Sequence, residues 1–148
     1  MAISREQFAT LLQIQRDNQQ KIEYETDKSK YSVEEFWQGD QLTPGIAARR
    51  FNTGDCEESA IRAMLKCMAE GFHARLVVLL DPNGQGHCIC EVSDSERVTA
   101  YYLDNNFSTP RVRSDYKGCH FISTSPWNPQ PGDTRPWYEI QPQFQRIG

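Results

Sequence analysis

The hydrophobic period changes from helical to strand-like near Gly71, and this change constrains the fold more than any other feature of the chain. Before it, residues 55–69 carry apolar side chains at helical spacing, namely Ala60, Ala63, Met64, Cys67 and Met68. After it, residues 74–80 form an apolar run, interrupted only by Arg75, that is typical of a central strand covered on both faces. Two further strand-like segments, 87–92 and 98–103, follow. A helix followed by antiparallel strands predicts an α+β fold.

Further helices are predicted in the N-terminal third. Ser4 followed by Gln7 has the pattern of a capping box, and it predicts the start of a helix over about residues 5–22. Two shorter helical pieces are predicted before residue 55, from the capping pattern Ser32–Glu35 and from Thr43–Pro44.

The C-terminal segment has a different character. Its prolines and tryptophans predict an extended arm over about residues 123–148, wrapping the sheet, rather than a helix. No linker or internal repeat divides the chain. We therefore expect residues 1–148 to form a single domain.

Composition argues against two classes of function. The formal net charge is −4 and the basic residues are scattered, whereas nucleic-acid binding usually needs a basic stripe. No apolar run is long enough to span a membrane, and residues 1–7 lack the pattern of a secretory signal. Five cysteines cannot all be paired, which fits a reducing compartment. We expect a cytoplasmic protein that binds neither nucleic acid nor membrane.

Three short motifs carry the candidate chemistry: Gly54–Glu58, Gly86–His87 and Leu103–Asn105. They place Cys56 at the start of a helix, His87 at the opening of a strand and Asp104 at the end of the next strand. A thiol nucleophile, its base and the group that orients the base are residues of these three types. The free N–H groups and the dipole at a helix start favour a thiolate.

The hairpin between the two strands predicts a contact. If its turn is symmetric about Ser95 and Glu96, His87 lies directly opposite Asp104, with the Cβ atoms about 4.5–5.5 Å apart. The carboxylate would accept the Nδ1–H of the imidazole and leave Nε2 facing outward. A slip of one residue would place the side chains on opposite faces of the sheet, so the prediction depends on the turn.

Other interpretations of these residues stay open. Cys56 can instead be a small buried apolar residue, and Asp104 a turn former. The chain also holds four residues of zinc-binding types, Cys88, Cys90, Cys119 and His120, but these lack paired C-x-x-C spacing. For Cys88 and Cys90 the preferred interpretation is therefore that they are core thiols.

Taken together and in this order, the motifs resemble the bacterial transglutaminase-like cysteine proteinases of the papain-like superfamily. The resemblance covers most of the chain and includes Asn18, Ile22, Tyr24, Asp27, Tyr31 and Phe36–Trp37. It implies N-terminal helices and a nucleophile at the N-terminus of a helix that packs on an antiparallel sheet. It also implies a cysteine endopeptidase in which Cys56 attacks a peptide carbonyl of a specific protein substrate and forms an acyl-enzyme. His87 would act as base and then as acid, and Asp104 would orient it.

The resemblance leaves the acyl acceptor and the metal open. The same triad can run transglutaminase or deamidase chemistry, and the same fold can serve a non-catalytic protein-binding inhibitor. The triad requires no cofactor. Some relatives bind Ca²⁺ through acids that flank the nucleophile, and Asp55, Glu57 and Glu58 match those positions. The alternative is that Asp55 and Glu58 only cap the helix. A bacterial origin, or a phage protein acting in the host cytoplasm, fits the expected location.

Overall fold

The computed structural model describes residues 3–24, 54–94, 96 and 98–140. In chain order these ranges form α1 (Arg5–Tyr24), α2 (Gly54–Ala69), β1 (His73–Leu80), β2 (Gly86–Ser93), β3 (Thr99–Leu103), the 3₁₀-helix Arg113–Tyr116, β4 (His120–Thr124) and β5 (Tyr138–Glu139). The strand order is β3-β2-β1-β4-β5, and all neighbours are antiparallel. The predicted α+β fold is confirmed, and β1 is central as predicted.

Alternate residues of β1 and β2 build two apolar layers on opposite faces of the sheet, as the period of two requires. The layer on the helix side combines residues from the sheet and from both helices: Leu76, Val78, Cys88, Cys90, Leu11, Ile61 and Met64. The layer on the other side contains Val77, Leu79, Ile89, Tyr102, Tyr116 and Phe121. Because both faces are covered, β1 reads as an apolar run.

The start of α1 is closed by a reciprocal pair of hydrogen bonds. The Ser4 N–H donates to Gln7 Oε1 (2.8 Å), and the Gln7 N–H donates to Ser4 Oγ (3.2 Å). This is the predicted capping box, and it satisfies two N–H groups that a helix start would otherwise leave open.

The end of α2 fixes the direction in which the helix crosses the sheet. The Phe72 N–H donates to the Cys67 carbonyl (2.9 Å), and Gly71 between them has a left-handed φ of 92°, which favours glycine. Strand β1 begins directly afterwards, so α2 and β1 run in opposite directions. Sixteen helical residues span roughly 24 Å, and eight strand residues span roughly 26 Å. The N-terminus of α2 therefore reaches the sheet end where β1 finishes and β2 begins.

The arm predicted over about residues 123–148 contains no helix in its described part, residues 123–140, as expected. It joins the sheet as well: its first residues belong to β4, which pairs with β1, and Tyr138–Glu139 adds the short edge strand β5 beside β4. Propensity missed both strands because pairing with distant residues decides their structure. Residues 141–148 lie outside the described residues.

Two further predictions concern segments that the structure does not describe. The short helical pieces expected at Ser32–Glu35 and after Thr43–Pro44 fall within residues 25–53. In the residues that are described, neither helix combines the length and apolar character needed to cross a bilayer.

Candidate active site

His87 is the second residue of β2, and its side chain is 14% exposed. It shares a sheet face with Ile89, two residues further along, and this is the face opposite the two helices. The turn before β2 is held by Asp81, whose Oδ1 accepts the N–H groups of Asn83 (2.8 Å) and Gln85 (2.9 Å). Gly84 takes a positive φ of 84° in this turn. A fixed turn therefore sets the position of the histidine.

Asp104 follows the last residue of β3 and is 2% exposed. Its Oδ1 accepts hydrogen bonds from His87 Nε2 (2.8 Å) and from the Asn106 N–H (3.0 Å). Its Oδ2 accepts the hydroxyl of Tyr116 (2.9 Å). A buried carboxylate is costly unless its oxygens are hydrogen-bonded, and here both oxygens have donors.

The predicted register of the hairpin is wrong, although the predicted contact forms. Cys90 pairs with Leu103 and Glu91 with Tyr102, and the ladder shifts between Val92 and Ser93. The turn is therefore not symmetric about Ser95 and Glu96, and the strands lie two residues away from the expected alignment. A two-residue shift preserves the face of every side chain, so His87 still reaches Asp104.

The ring nitrogen that contacts the acid also differs from the expectation. Nε2 of His87, not Nδ1, faces Asp104. An ionised carboxylate only accepts hydrogen bonds, so in the neutral ring Nε2 carries the hydrogen and Nδ1 keeps its lone pair. Nδ1 is thus the basic nitrogen of the neutral ring.

Tyr116 is a residue of this site that sequence reasoning missed. It ends the 3₁₀-helix Arg113–Tyr116 and is 6% exposed. Burial raises the pKa of Tyr116 far above its ordinary value, and the negative charge of Asp104 raises it further. The phenol therefore stays protonated and remains a hydrogen-bond donor. Nothing local in the sequence links Tyr116 to Asp104, twelve residues earlier.

Two glutamines of α1 hold the segment that follows β3, and these too were missed. The amide of Gln15 donates to the carbonyls of Asp104 (2.6 Å) and Phe107, and that of Gln19 donates to the carbonyl of Phe107 (2.7 Å). Gln15 is buried, with 2% exposure. Gln15 and Gln19 are one helical turn apart and so lie on one face of α1. This spacing is the sequence pattern that could have indicated a shared polar contact.

Cys56 lies in the first turn of α2, at the end of the sheet where β2 begins. One turn later, Ser59 accepts hydrogen bonds from Asn18 through its carbonyl and its Oγ (both 2.9 Å). Asn18 is one turn of α1 away from Gln15, which binds the Asp104 carbonyl. Helix α1 thus bridges the start of α2 to the acid. The side chain of Cys56 lies outside the part that the structure describes.

The other four cysteines do not have the properties of a nucleophile. Cys67, Cys88 and Cys90 are buried, and the preferred interpretation of Cys88 and Cys90 as core thiols is confirmed. Burial raises the pKa of Cys90 well above its ordinary value. Burial, then Asp81 and Asp104, also raise the pKa of Cys119, which is partly exposed. Nucleophilic thiols need the opposite shift.

The acids proposed to bind calcium are described only in part. Glu58 is buried, and its Oε1 accepts a hydrogen bond from Arg62 (2.8 Å). A carboxylate neutralised in this way is a poor Ca²⁺ ligand, because the guanidinium occupies the oxygen. The helix begins at Gly54, so Asp55 lies inside its first turn and not at the predicted N-cap. The side chains of Asp55 and Glu57 lie outside the described residues.

In the described ranges, no group of three or more His, Cys, Asp or Glu side chains could hold a metal ion. The zinc-binding residue types considered above therefore form no such group in these ranges: Cys88, Cys90, Cys119 and His120. Cys88 and Cys90 face the helices, whereas Cys119 packs against the cluster on the opposite face of the sheet.

A cavity of about 240 Å³ opens beside the His87–Asp104 pair. Its lining mixes apolar and charged side chains, namely Leu79, Asp81, Pro82, His87, Asp104, Asn106, Phe107, Asp115, Tyr116, Lys117 and Cys119. The histidine is thus at once hydrogen-bonded to a buried acid and open to a cleft.

No protein-family model and no curated protein match this chain. Solved structures of Legionella pneumophila LapG are similar to it. The EGTA-treated form matches with a TM-score of 0.58 and 16% identity, over 91% of this chain and 68% of that one. The calcium-bound form matches with a TM-score of 0.55 and 17% identity, over 95% and 80%. A third LapG structure matches with a TM-score of 0.53 and 19% identity, over 78% and 62%.

These comparisons define a class by fold. The helix that carries Cys56, followed by an antiparallel sheet that carries His87 and Asp104, is an α+β arrangement similar to that of the LapG structures. The three LapG structures share this arrangement with the chain, and at 16–19% sequence identity the likeness shows a common fold.

Proposed function

We propose that this chain is a cysteine endopeptidase in which Cys56 is the nucleophile, His87 the base and Asp104 the residue that orients His87. The observation that carries the proposal is the 2.8 Å bond from His87 Nε2 to a buried, fully hydrogen-bonded carboxylate. This pair lies on the sheet face opposite the helices, but at the sheet end where the helix with Cys56 begins, so in the proposal Cys56 approaches His87 around that end of the sheet. The fold shared with LapG and the motif resemblance to transglutaminase-like cysteine proteinases support it.

In the proposed triad, each proton that moves has a donor and an acceptor. Nδ1 of His87 takes the thiol proton of Cys56, and the thiolate sulfur attacks the carbonyl carbon of the scissile peptide. The resulting oxyanion would be held by N–H groups at the start of α2, with the Cys56 N–H among them. His87 then gives its proton to the leaving nitrogen, and a thioester on Cys56 remains. Water attacks the thioester, again with Nδ1 as proton acceptor, and releases the acid product and the thiol.

Asp104 keeps the ring in the orientation that these steps need. Its bond to Nε2 fixes the tautomer whose free lone pair is on Nδ1, and its charge stabilises the imidazolium formed in each proton transfer. Because Asp104 is buried, this charge acts in a medium of lower dielectric than water.

The proposal is tested by the rate at which iodoacetamide labels each cysteine at neutral pH, read by mass spectrometry. An ordinary thiol is only about 3% ionised at pH 7, so an activated Cys56 should react roughly tenfold or more faster than Cys119. His87→Ala should remove this advantage. The matched control is His73→Ala, since His73 Nδ1 bonds Asn128 outside the site (2.8 Å). Labelling of Cys56 that is slow, or that does not respond to His87→Ala, would refute the activated pair.

The reaction product shows whether water or an amine accepts the acyl group. A peptidase generates new N-termini in a protein mixture, whereas acyl transfer generates cross-links or converts Gln to Glu. We propose hydrolysis on the motif resemblance to transglutaminase-like cysteine proteinases, since no residue here decides between water and an amine as acceptor. A biological effect that survives Cys56→Ala would instead identify a binding protein on the same fold.

A calcium ion bound near the start of α2 is a further part of the proposal. LapG has been captured in calcium-bound and EGTA-treated forms. Asp55 and Glu57 flank Cys56 in sequence, and a cation there would offset their unfavourable effect on the thiolate. Glu58 does not fit, because Arg62 holds its carboxylate. No step of the reaction depends on the ion.

A further inference from the structure

We propose that Tyr116 is a positioning residue for the active site, whose hydroxyl fixes the Asp104 carboxylate in the orientation that holds the His87 ring. This inference rests on the proposed function, since it assigns a role within the same triad. It adds a fourth residue that no motif of the sequence contains, and it explains why the buried acid keeps one orientation.

The two oxygens of the carboxylate have different partners. Oδ1 accepts from His87 Nε2 (2.8 Å) and from the Asn106 N–H (3.0 Å), whereas Oδ2 accepts only the Tyr116 hydroxyl among the bonds described here (2.9 Å). Rotation of the carboxylate about its Cβ–Cγ bond would break bonds on both oxygens. Without the hydroxyl, one buried oxygen would lose its donor and the carboxylate could turn towards other groups. The hydroxyl therefore acts on His87 through Asp104 and does not itself touch the reacting atoms.

The ring of Tyr116 is itself held in place. It makes edge-to-face contacts with Tyr102, Phe107 and Phe121, with ring centroids 5.4, 6.4 and 6.0 Å away. The backbone is fixed as well, because the Cys119 N–H donates to the Tyr116 carbonyl (3.1 Å). Such aromatic pairs prefer defined geometry, so the hydroxyl has little freedom to leave Asp104.

The protonation state of Tyr116 suits this role. Its pKa is raised by burial and by the neighbouring Asp104 charge, so the phenol remains a donor at every pH at which a thiol enzyme works. A hydrogen bond from a neutral donor to a charged acceptor is also among the stronger types.

Tyr102 supplies the matched control. It belongs to the same aromatic cluster and is also buried, with 2% exposure against 6% for Tyr116. The hydroxyl that bonds Asp104 belongs to Tyr116, and Asp104 is not among the main groups that shift the pKa of Tyr102. Tyr102→Phe and Tyr116→Phe thus each remove one hydroxyl from one cluster, and only the second change removes a bond to the acid.

The experiment measures Cys56 labelling by iodoacetamide in wild type, Tyr116→Phe, Tyr102→Phe and His87→Ala, together with the ¹⁵N and ring N–H NMR signals of His87. Loss of a hydrogen bond to a charged group should slow labelling about tenfold in Tyr116→Phe, whereas Tyr102→Phe should stay within about twofold of wild type. The Nε2–H signal of His87 should broaden or disappear in Tyr116→Phe and should remain in Tyr102→Phe. If Tyr116→Phe and Tyr102→Phe give the same labelling rate and the same His87 signals, the inference is overturned.

The proposed triad and the positioning role of Tyr116 can be refuted separately. If His87→Ala leaves labelling unchanged, the proposed triad is wrong. If His87→Ala slows labelling and Tyr116→Phe does not, the triad stands and the positioning role is wrong. Should Tyr116→Phe not fold, ¹³Cζ-tyrosine NMR of Asp104→Asn gives an independent answer. The ¹³Cζ shift of Tyr116 at neutral pH should then differ from that in wild type, and an unchanged shift would contradict the hydrogen bond.

Discussion

His87 and Asp104 meet diagonally across the β2–β3 pair and not directly opposite one another. The observed pairs, Cys90 with Leu103 and Glu91 with Tyr102, lie two residues from the alignment of a symmetric turn. Diagonal neighbours on a sheet are about 7–8 Å apart, a distance that a histidine and an aspartate span together. The Nε2–Oδ1 distance of 2.8 Å shows that they do so here. The contact therefore survives a two-residue shift in register, whereas an odd shift would place the two side chains on opposite faces of the sheet.

Asp104→Asn should lower the reactivity of Cys56 while leaving the fold intact. The amide has nearly the shape of the carboxylate, but it lacks the charge that stabilises imidazolium, and its NH₂ cannot accept a bond from His87 or Tyr116. We expect iodoacetamide labelling at pH 7 to fall about tenfold or more, and turnover of a substrate by roughly 10²–10⁴.

Asp94→Asn is the control for that change. Asp94 Oδ1 accepts the N–H groups of Glu96 (2.8 Å) and Val98 (3.1 Å) in the turn at the other end of the hairpin. The same substitution there should affect stability slightly and leave Cys56 labelling unchanged. Equal effects of the two variants on labelling would mean that the loss reflects the hairpin and not the acid.

The sequence predicted those parts of the molecule that local patterns control. The correct element was predicted from the apolar run of residues 74–80, from the strand-like segment 87–92 and from the helical stripe between Ala60 and Met68. The pairing of His87 with Asp104 was also predictable, because face depends only on whether a shift is odd or even. The exact register was not, since the ladder irregularity at Val92–Ser93 depends on the turn.

Long-range contacts account for what the sequence did not reveal. Tyr116 reaches Asp104 from a 3₁₀-helix, and Gln15 reaches it from a helix 89 residues earlier. Strand β4 forms because β1 offers it an antiparallel edge, although Pro126 follows closely. The choice of Nε2 over Nδ1 depends on the ring orientation, which the register sets. Each of these is a property of the assembled fold, and no local pattern encodes it.

Gln15→Ala should destabilise the protein and slow Cys56 labelling. Its buried amide donates to the carbonyls of Asp104 and Phe107, so the variant loosens the segment that carries the acid. The expected loss in the free energy of unfolding is about 1–3 kcal/mol, measured by urea titration. Gln13→Ala is the control, because Gln13 is exposed and bonds only the Asp17 side chain (2.8 Å) among the described contacts. Similar losses in the two variants would contradict the role of Gln15.

Cys119 should label slowly at neutral pH even though it is partly exposed in the cavity beside His87. Burial, Asp81 and Asp104 raise its pKa, so its thiolate fraction at pH 7 lies below that of an ordinary thiol. Its labelling rate should increase with pH throughout the range from 7 to about 9. Asp81→Asn removes one of the two charges and should raise the rate at pH 7. Fast labelling of Cys119 at neutral pH would make it a competing nucleophile and would weaken the assignment of Cys56.

The three acids around Cys56 should respond differently to calcium. Glu58 is buried and paired with Arg62, so Glu58→Gln should destabilise the protein by roughly 3–5 kcal/mol whether or not Ca²⁺ is present. If Asp55 and Glu57 bind the ion, Ca²⁺ should raise the melting temperature of wild type and of Glu58→Gln by similar amounts, and EGTA should reverse the effect.

The double variant Asp55→Asn, Glu57→Gln completes this test. Neutral amides are much weaker ligands for a divalent cation than carboxylates, so Ca²⁺ should no longer change its melting temperature. The same variant should label faster at Cys56 than wild type in EGTA, because two negative charges beside the thiolate have been removed. If Ca²⁺ does not change the melting temperature of the wild-type protein, the proposed calcium site is excluded. A response lost only in Glu58→Gln would show that Arg62 releases Glu58 to the ion, contrary to the buried pair described here.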